Sequence, residues 1–201
     1  MTPRTKRLVA ALAAITAVTA CTTTADGTPR PGSSTSESPS FAPTTSAKNE
    51  APQVATPLDV SAFIAEPCSL LTTAQLRSLA VNPPGELTEL DGAPDGCNWH
   101  GADGSFGIGW LKENEGGLSD TYRRGPEMNA YFIETSVDGY PGVFADGTDG
   151  RPSGVCGIVV GVSDTLTFYA QVSNGKLDAD QSCTYAKQVA TAAIATIKEA
   201  N

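Results

Sequence analysis

The chain has 201 residues, with 13 Lys plus Arg against 22 Asp plus Glu and a net charge of −9. From Leu58 onward 8 basic residues face 19 acidic ones, a charge of −11, which argues against the phosphate-backbone partner that a nucleic-acid protein needs and against anionic headgroups. Setting aside the first 57 residues leaves 144, enough for one domain with a single core.

Arg4, Lys6 and Arg7 precede an uncharged apolar run from Leu8 to Ala17. Ten residues rise only about 15 Å as a helix against a hydrocarbon core of about 30 Å, so residues 1–20 are expected to be a cleaved signal peptide rather than a span. The run closes on Val18-Thr19-Ala20-Cys21, and a small-residue stretch ending on a cysteine is what a lipoprotein signal peptidase cuts. Cys21 is therefore expected to be the acylated N-terminus, the alternative being an ordinary cysteine just past a secretory cleavage site. Two or more acyl chains on one terminus anchor stably, which places the chain at the outer face of the cell membrane. No twin arginine precedes the apolar run, so the domain is expected to fold after export.

Residues 21–57 form a Ser/Thr/Pro-rich tether with few large apolar side chains. As a flexible coil its 36 residues after Cys21 reach about 30–36 Å on average and about 120 Å at full stretch. A glycosylated stalk has the same composition. With Cys21 committed to acylation, Cys68, Cys97, Cys156 and Cys183 remain, an even number in an exported domain. Four cysteines permit three pairings; Cys68–Cys97 with Cys156–Cys183 closes the shorter loops and is the expected one.

Within residues 58–201, Thr72 and Gln75 have capping-box spacing and Leu71 can staple onto Leu76, predicting a short helix to about Ala80. Asn82 to Gly85 stops it, and Asp91 to Gly96 reads as a loop. Cys97 to His100, a turn, and Phe106, Ile108 and Trp110 alternating with glycines read as a hairpin. One or two helical turns are expected from Leu118 to Arg124. Tyr131, Ile133 and Val137 share one face of a further strand, and Gly139-Tyr140-Pro141-Gly142 turns the chain into another at Val143 to Ala145. Cys156, Ile158, Val160 and Val162 alternate with small residues, and Leu166, Phe168, Ala170 and Val172 mirror them after Ser163-Asp164. A helix from about Cys183 to Ala200 carries Ala186, Val189, Ala190, Ala193, Ile194 and Ile197 as one stripe. The expected fold class is α+β: an antiparallel sheet of about six strands covered by a short N-terminal helix and a C-terminal helix, braced by disulfides.

Cys68-Ser69-Leu70-Leu71-Thr72 with Gln75-Leu76, Cys97-Asn98-Trp99, Gly139 and Pro141, Cys156 before a strand and Cys183 opening the last helix also carry a likeness. Over essentially the whole domain the chain resembles the actinobacterial lipoprotein family catalogued as domain of unknown function 3558. The resemblance implies a cell-envelope lipoprotein with no assigned reaction and no cofactor.

His100 is the only histidine, so any Ser-His-Asp or Cys-His mechanism must use it; a Gly-x-Ser-x-Gly elbow does not occur. Cys97-x-x-His100 has metal-like spacing, but the other cysteines are better used as disulfide partners, so no metal is expected. Asp91 to Gly96 and Asp146 to Gly150 lack the ligand alternation of a calcium loop. Glu113-Asn114-Glu115 and Asp178-x-Asp180 are carboxylate pairs at loop tips, where nothing tunes them for acid–base work. Trp99, His100 and Tyr140 are the candidate contacts for a ligand or partner, Tyr140 being expected to stay exposed in a tight turn. The chain is thus expected to be a non-enzymatic binding or accessory module of the cell envelope, meeting an envelope protein or a small ligand without a cofactor. The alternatives are an envelope hydrolase using His100 and acidic residues, and a carrier of a small apolar ligand.

Overall fold

Alternation of large apolar residues with glycine and polar ones along most of its strands produces the sheet. The computed structural model describes residues 50–201; Cys21, the signal peptide and the tether up to Asn49 lie outside the described residues. Strands β1 (Glu86–Leu90), β2 (Ala93–His100) and β3 (Ser105–Trp110) form one meander, and β4 (Tyr131–Val137), β5 (Tyr140–Asp146), β6 (Val155–Ser163) and β7 (Leu166–Ser173) form a second. β7 pairs with β3, giving one antiparallel sheet of order β1-β2-β3-β7-β6-β5-β4. The fold is α+β as expected, with seven strands instead of six.

The missed strand is β1. Its residues are exposed or half-exposed along their length, so no dry face alternates in the sequence. Asp91-Gly92, which reads as the start of a loop, is a two-residue hairpin turn with both φ angles positive (52° and 77°). The expected loop to Gly96 therefore belongs to β2, with Thr88 opposite Gly96.

One face of the sheet is covered by α4 (Ala179–Ala200), whose Ala186, Val189, Ala190, Ala193, Ile194 and Ile197 are fully buried. Its alanines bring the helix close to Ile158, Val160, Phe168 and Ala170, which are also fully buried. The helix starts four residues earlier than expected. Asp178 caps it, accepting from the Gln181 backbone N–H at 2.9 Å while Gln181 Oε1 accepts from the Asp178 N–H at 3.1 Å. The same device starts α2 (Thr73–Ser78), where Thr72 and Gln75 form the expected box. A further short helix, α1 (Ser61–Ala65), precedes a 3-10 turn at Pro67–Leu70. Trp110 Nε1 donates to the Phe63 carbonyl at 3.0 Å and so ties α1 to the sheet.

The opposite face carries α3 (Leu118–Met128), interrupted at Gly125, whose φ is 52°. Leu118 and Tyr122 pack there on Val143, Ala145 and Val159, forming a second, smaller core. Both disulfides have the expected pairing. Cys68–Cys97 fastens the 3-10 turn to β2, and Cys156–Cys183 fastens β6 to α4, each with Cα atoms 5.0 Å apart.

The end of the Ser/Thr/Pro-rich stretch lies against the domain. Val54 is buried, its N–H donating to Asp164 Oδ1 at 3.0 Å. Among the described residues no helix is long and apolar enough to cross a membrane.

Candidate functional site

A cleft of about 580 Å³ opens where the N-terminal turns of α4 pass the β2–β3 turn and the end of α2. Phe106 and Leu79, both buried, form its floor with Val81 and the half-buried Tyr185 and Leu177. Tyr185 is held by its hydroxyl, which donates to the Leu79 carbonyl, and by an edge-on contact with Phe106 at 6.0 Å. Burial pushes the Tyr185 phenol up from the ordinary tyrosine value, so it stays a neutral donor. The rim is polar: Ser78, Asp103, Asp180, Gln181, Thr184 and Gln188 are exposed. Outside the rim Lys176 Nζ meets Asp103 Oδ1 at 2.5 Å, an exposed ion pair joining the β2–β3 turn to the loop before α4. An apolar floor under a ring of uncharged and acidic groups suits a small amphipathic molecule.

The second feature is the sheet face that α3 leaves bare. Adjacent strands there bring Glu86, Asn98, Gly107 and Gln171 into one row and Thr88, Gly96, Gly109 and Tyr169 into the next. Shallow grooves of about 210 Å³ and 350 Å³ share Tyr169 and Gln171 as their common wall. That wall is fixed by a closed network. Tyr169 Oη donates to Asp146 Oδ2 at 2.8 Å, and Gln171 Nε2 donates to Tyr169 Oη at 2.8 Å and to Asp146 Oδ2 at 3.2 Å. Burial, with Asp146 beside it, pushes the Tyr169 phenol far up. Next to it Tyr131 Oη accepts from the Gly157 N–H at 3.1 Å, while Arg151 lies 4.2 Å above the Tyr131 ring and pairs with Asp149. The hydrogen bonds from Arg151 hold the Asp149 carboxyl below the usual carboxylate range.

The structure separates the three contact candidates. Trp99 is 1% exposed and packs on Phe106 from the core side, so it is not a surface contact. Tyr140 is 7% exposed, contrary to expectation. The turn falls at Asp138-Gly139, and Tyr140 opens β5 facing the core, with its hydroxyl donating to the Thr56 carbonyl at 3.1 Å. Only His100 is open to solvent. Its Nε2 lies 3.6 Å from Glu86 Oε2, both side chains being largely exposed at the end of β2 and the start of β1. Ser105 stands opposite His100 in register, and among the described residues no hydroxyl hydrogen-bonds to the ring. Cys97 is bonded to Cys68, so the Cys97-x-x-His100 spacing carries no free thiolate. Among the described residues no three His, Cys, Asp or Glu gather as a metal would need.

Neither groove was legible beforehand, because each is built from residues far apart in the chain. The one available signal was the glycine alternation of β3, which left one face of that strand bare at Gly107 and Gly109.

A seven-stranded antiparallel sheet with α4 on one face, α3 on part of the other and two disulfides defines the class: a disulfide-braced α+β domain. Within that class the chain belongs to the family described as "Protein of unknown function (DUF3558)", whose model matches residues 16–196. No curated protein and no solved structure matches it.

Proposed function

We propose that this chain is a non-enzymatic binding module of the cell envelope, acylated at Cys21, held at the outer face of the membrane, and receiving a small amphipathic ligand in the cleft beside α4. The observation that carries this reading is the cleft itself: about 580 Å³ with Phe106 and Leu79 as its floor and uncharged or acidic side chains at its mouth. A volume of that order suits a drug-sized molecule. The beginning of α4 and the β2–β3 turn that frame it are each tied down, by the Cys156–Cys183 bond and by the Lys176–Asp103 pair. Such a frame pre-forms the cleft and lowers the ordering cost of binding. Under α4 the interior is filled by fully buried side chains, so a ligand enters at the end of the helix rather than beneath it. His100 and Glu86, on open surface, take no part.

The test is native mass spectrometry of the full chain extracted in mild detergent from its own envelope. A bound small molecule should accompany the wild type and be lost from Thr184→Trp, which fills the mouth from an exposed position. Retention of the same adduct by that variant would overturn the cleft assignment. Detergent-phase partitioning tests the anchor: Cys21→Ser should leave the detergent phase or persist as an uncleaved precursor, and unchanged partitioning of a processed chain would refute lipidation.

A further inference from the structure

The bare face of β1, β2, β3 and β7 is paved in a way the domain's own packing does not require. Gly109 lies within β3, one residue from its end and paired on both sides, where a glycine weakens a strand by its lost side chain and greater chain entropy. A Cβ there would meet nothing nearer than Asp95 O at 3.7 Å, an ordinary contact, and its backbone is not in the left-handed region. Internal sterics therefore leave Gly109 unexplained. The neighbouring glycines do have internal reasons. A Cβ at Gly107 would overlap the Asn98 amide, and one at Gly157 would overlap the Tyr169 ring. Each of these glycines lets a planar polar side chain lie flat along the sheet.

The result is a platform with a definite chemistry. The Asn98 side chain has no hydrogen-bond partner among the described residues, and Gln171 spends its two N–H bonds on Tyr169 and Asp146 while its Oε1 accepts none. Carboxamides so placed offer a donor and an acceptor side by side, or a fixed acceptor, to a pair of neighbouring hydroxyls. Tyr169 adds a flat ring whose tilt is locked by Asp146. The floor between them carries no charged side chain, on a domain whose net charge is −11; Glu86 and His100 lie at its corner and Asp146 and Arg124 beyond the Tyr169 wall. Anionic chains are repelled by the domain as a whole, cationic ones find no carboxylate on the floor of the first groove, and the apolar surface on offer is the Tyr169 ring with Leu111, Ala145 and Val159 in the second groove, a mixture of flat apolar and amide surface that suits a sugar.

We infer that this face is a second binding surface, distinct from the cleft beside α4, and that its occupant is a neutral oligosaccharide laid across the strands, with Gly109 left bare so that a sugar ring can approach the backbone. The two grooves on either side of the Tyr169–Gln171 wall give an extended chain successive places to rest.

Isothermal titration of the full chain, in a detergent without a sugar headgroup, tests this with maltohexaose, cellohexaose and mannohexaose as probes. At least one hexasaccharide should bind saturably. Gly109→Ala, whose Cβ has room there, should keep or raise the melting temperature and weaken binding several-fold, and Gly109→Val, a better strand residue but bulkier beside Tyr169, should weaken it tenfold or more. Asn98→Ala and Gln171→Ala should each weaken it several-fold, and Thr184→Trp in the cleft should not. Absence of binding by all three probes, equal binding by Gly109→Val, or loss of binding in Thr184→Trp instead would overturn the assignment. Because the cleft ligand is read separately by mass spectrometry, either site can fail without the other.

Discussion

The two tryptophans show how differently one residue type is used. Trp110 Nε1 donates to the Phe63 carbonyl at 3.0 Å, whereas the Trp99 indole N–H is buried with no partner. Replacing Trp110 by Phe leaves a buried carbonyl unpaired and a gap, a loss of about 2–4 kcal/mol. The same change at Trp99 opens a similar gap but removes an unsatisfied donor, which offsets about 1–3 kcal/mol. Urea unfolding should therefore rank Trp110→Phe as clearly the more damaging, and an equal loss would mean that Trp99 has a partner. Tyrosines give a second residue-level expectation. Tyr122 is raised to about 12 by burial and by Glu134, and burial also raises Tyr131, Tyr169 and Tyr185 above the usual 10.0. Groups whose folded pKa lies above the unfolded value hold their full stabilising effect below pH 10 and lose it as pH rises toward and through 12. Stability should thus fall over that window, with tyrosinate absorbance appearing together with unfolding; ionisation of all four phenols near pH 10 in the folded protein would contradict their burial.

At the scale of elements, α2 and α4 are coupled through one side chain. Gln75 Oε1 accepts from the Thr72 N–H at 2.7 Å and from Thr196 Oγ1 at 3.0 Å, and its Nε2 donates to the Ala192 carbonyl at 2.9 Å. The capping box of a six-residue helix is also its clamp onto the longest helix. Thr72→Ala removes a cap, about 1 kcal/mol, while Gln75→Ala removes the cap and the clamp, about 2 kcal/mol in thermal or denaturant unfolding; equal losses would show that the clamp contributes nothing. The cap was readable because Thr72 and Gln75 are three residues apart, but the clamp was not, since Thr196 lies 121 positions away. The same division runs through the sheet. β6 and β7 announce themselves by alternation because each buries one face on α4, whereas β1 is exposed on both faces and its pairing rests on backbone bonds and the Asp91-Gly92 turn. Tyr140 differs from expectation because the turn closes at Asp138-Gly139, two residues before the centre of Gly139-Tyr140-Pro141-Gly142, so Tyr140 is the first paired residue of β5 and faces the core instead of standing at a turn tip. The cysteine framework needed no such geometry: a count of four in an exported domain and the preference for shorter loops were enough.

For the whole molecule the two disulfides act on different parts of one core. Cys156–Cys183 links β6 to α4 and closes a loop that contains β7, while Cys68–Cys97 links the segment before α2 to β2, at the far side of the same sheet face. With sequence separations of 27 and 29, each limits the unfolded chain by about 3–4 kcal/mol in the loop-entropy account. A domain of this size has about 5–15 kcal/mol in all, so one bond is removable and two are not. The losses should differ in kind as well. Without Cys156–Cys183 the beginning of α4 is freed to shift, and that segment frames the cleft; without Cys68–Cys97 the 3-10 turn is freed from β2, and neither of those cysteines lines the cleft. Cys156→Ala/Cys183→Ala should therefore remain folded at 25 °C yet lose the cleft's ligand, whereas Cys68→Ala/Cys97→Ala should lose comparable stability and keep it. Circular dichroism with native mass spectrometry on the two double variants separates these outcomes, and loss of ligand from both in equal measure would show that the bonds serve stability alone.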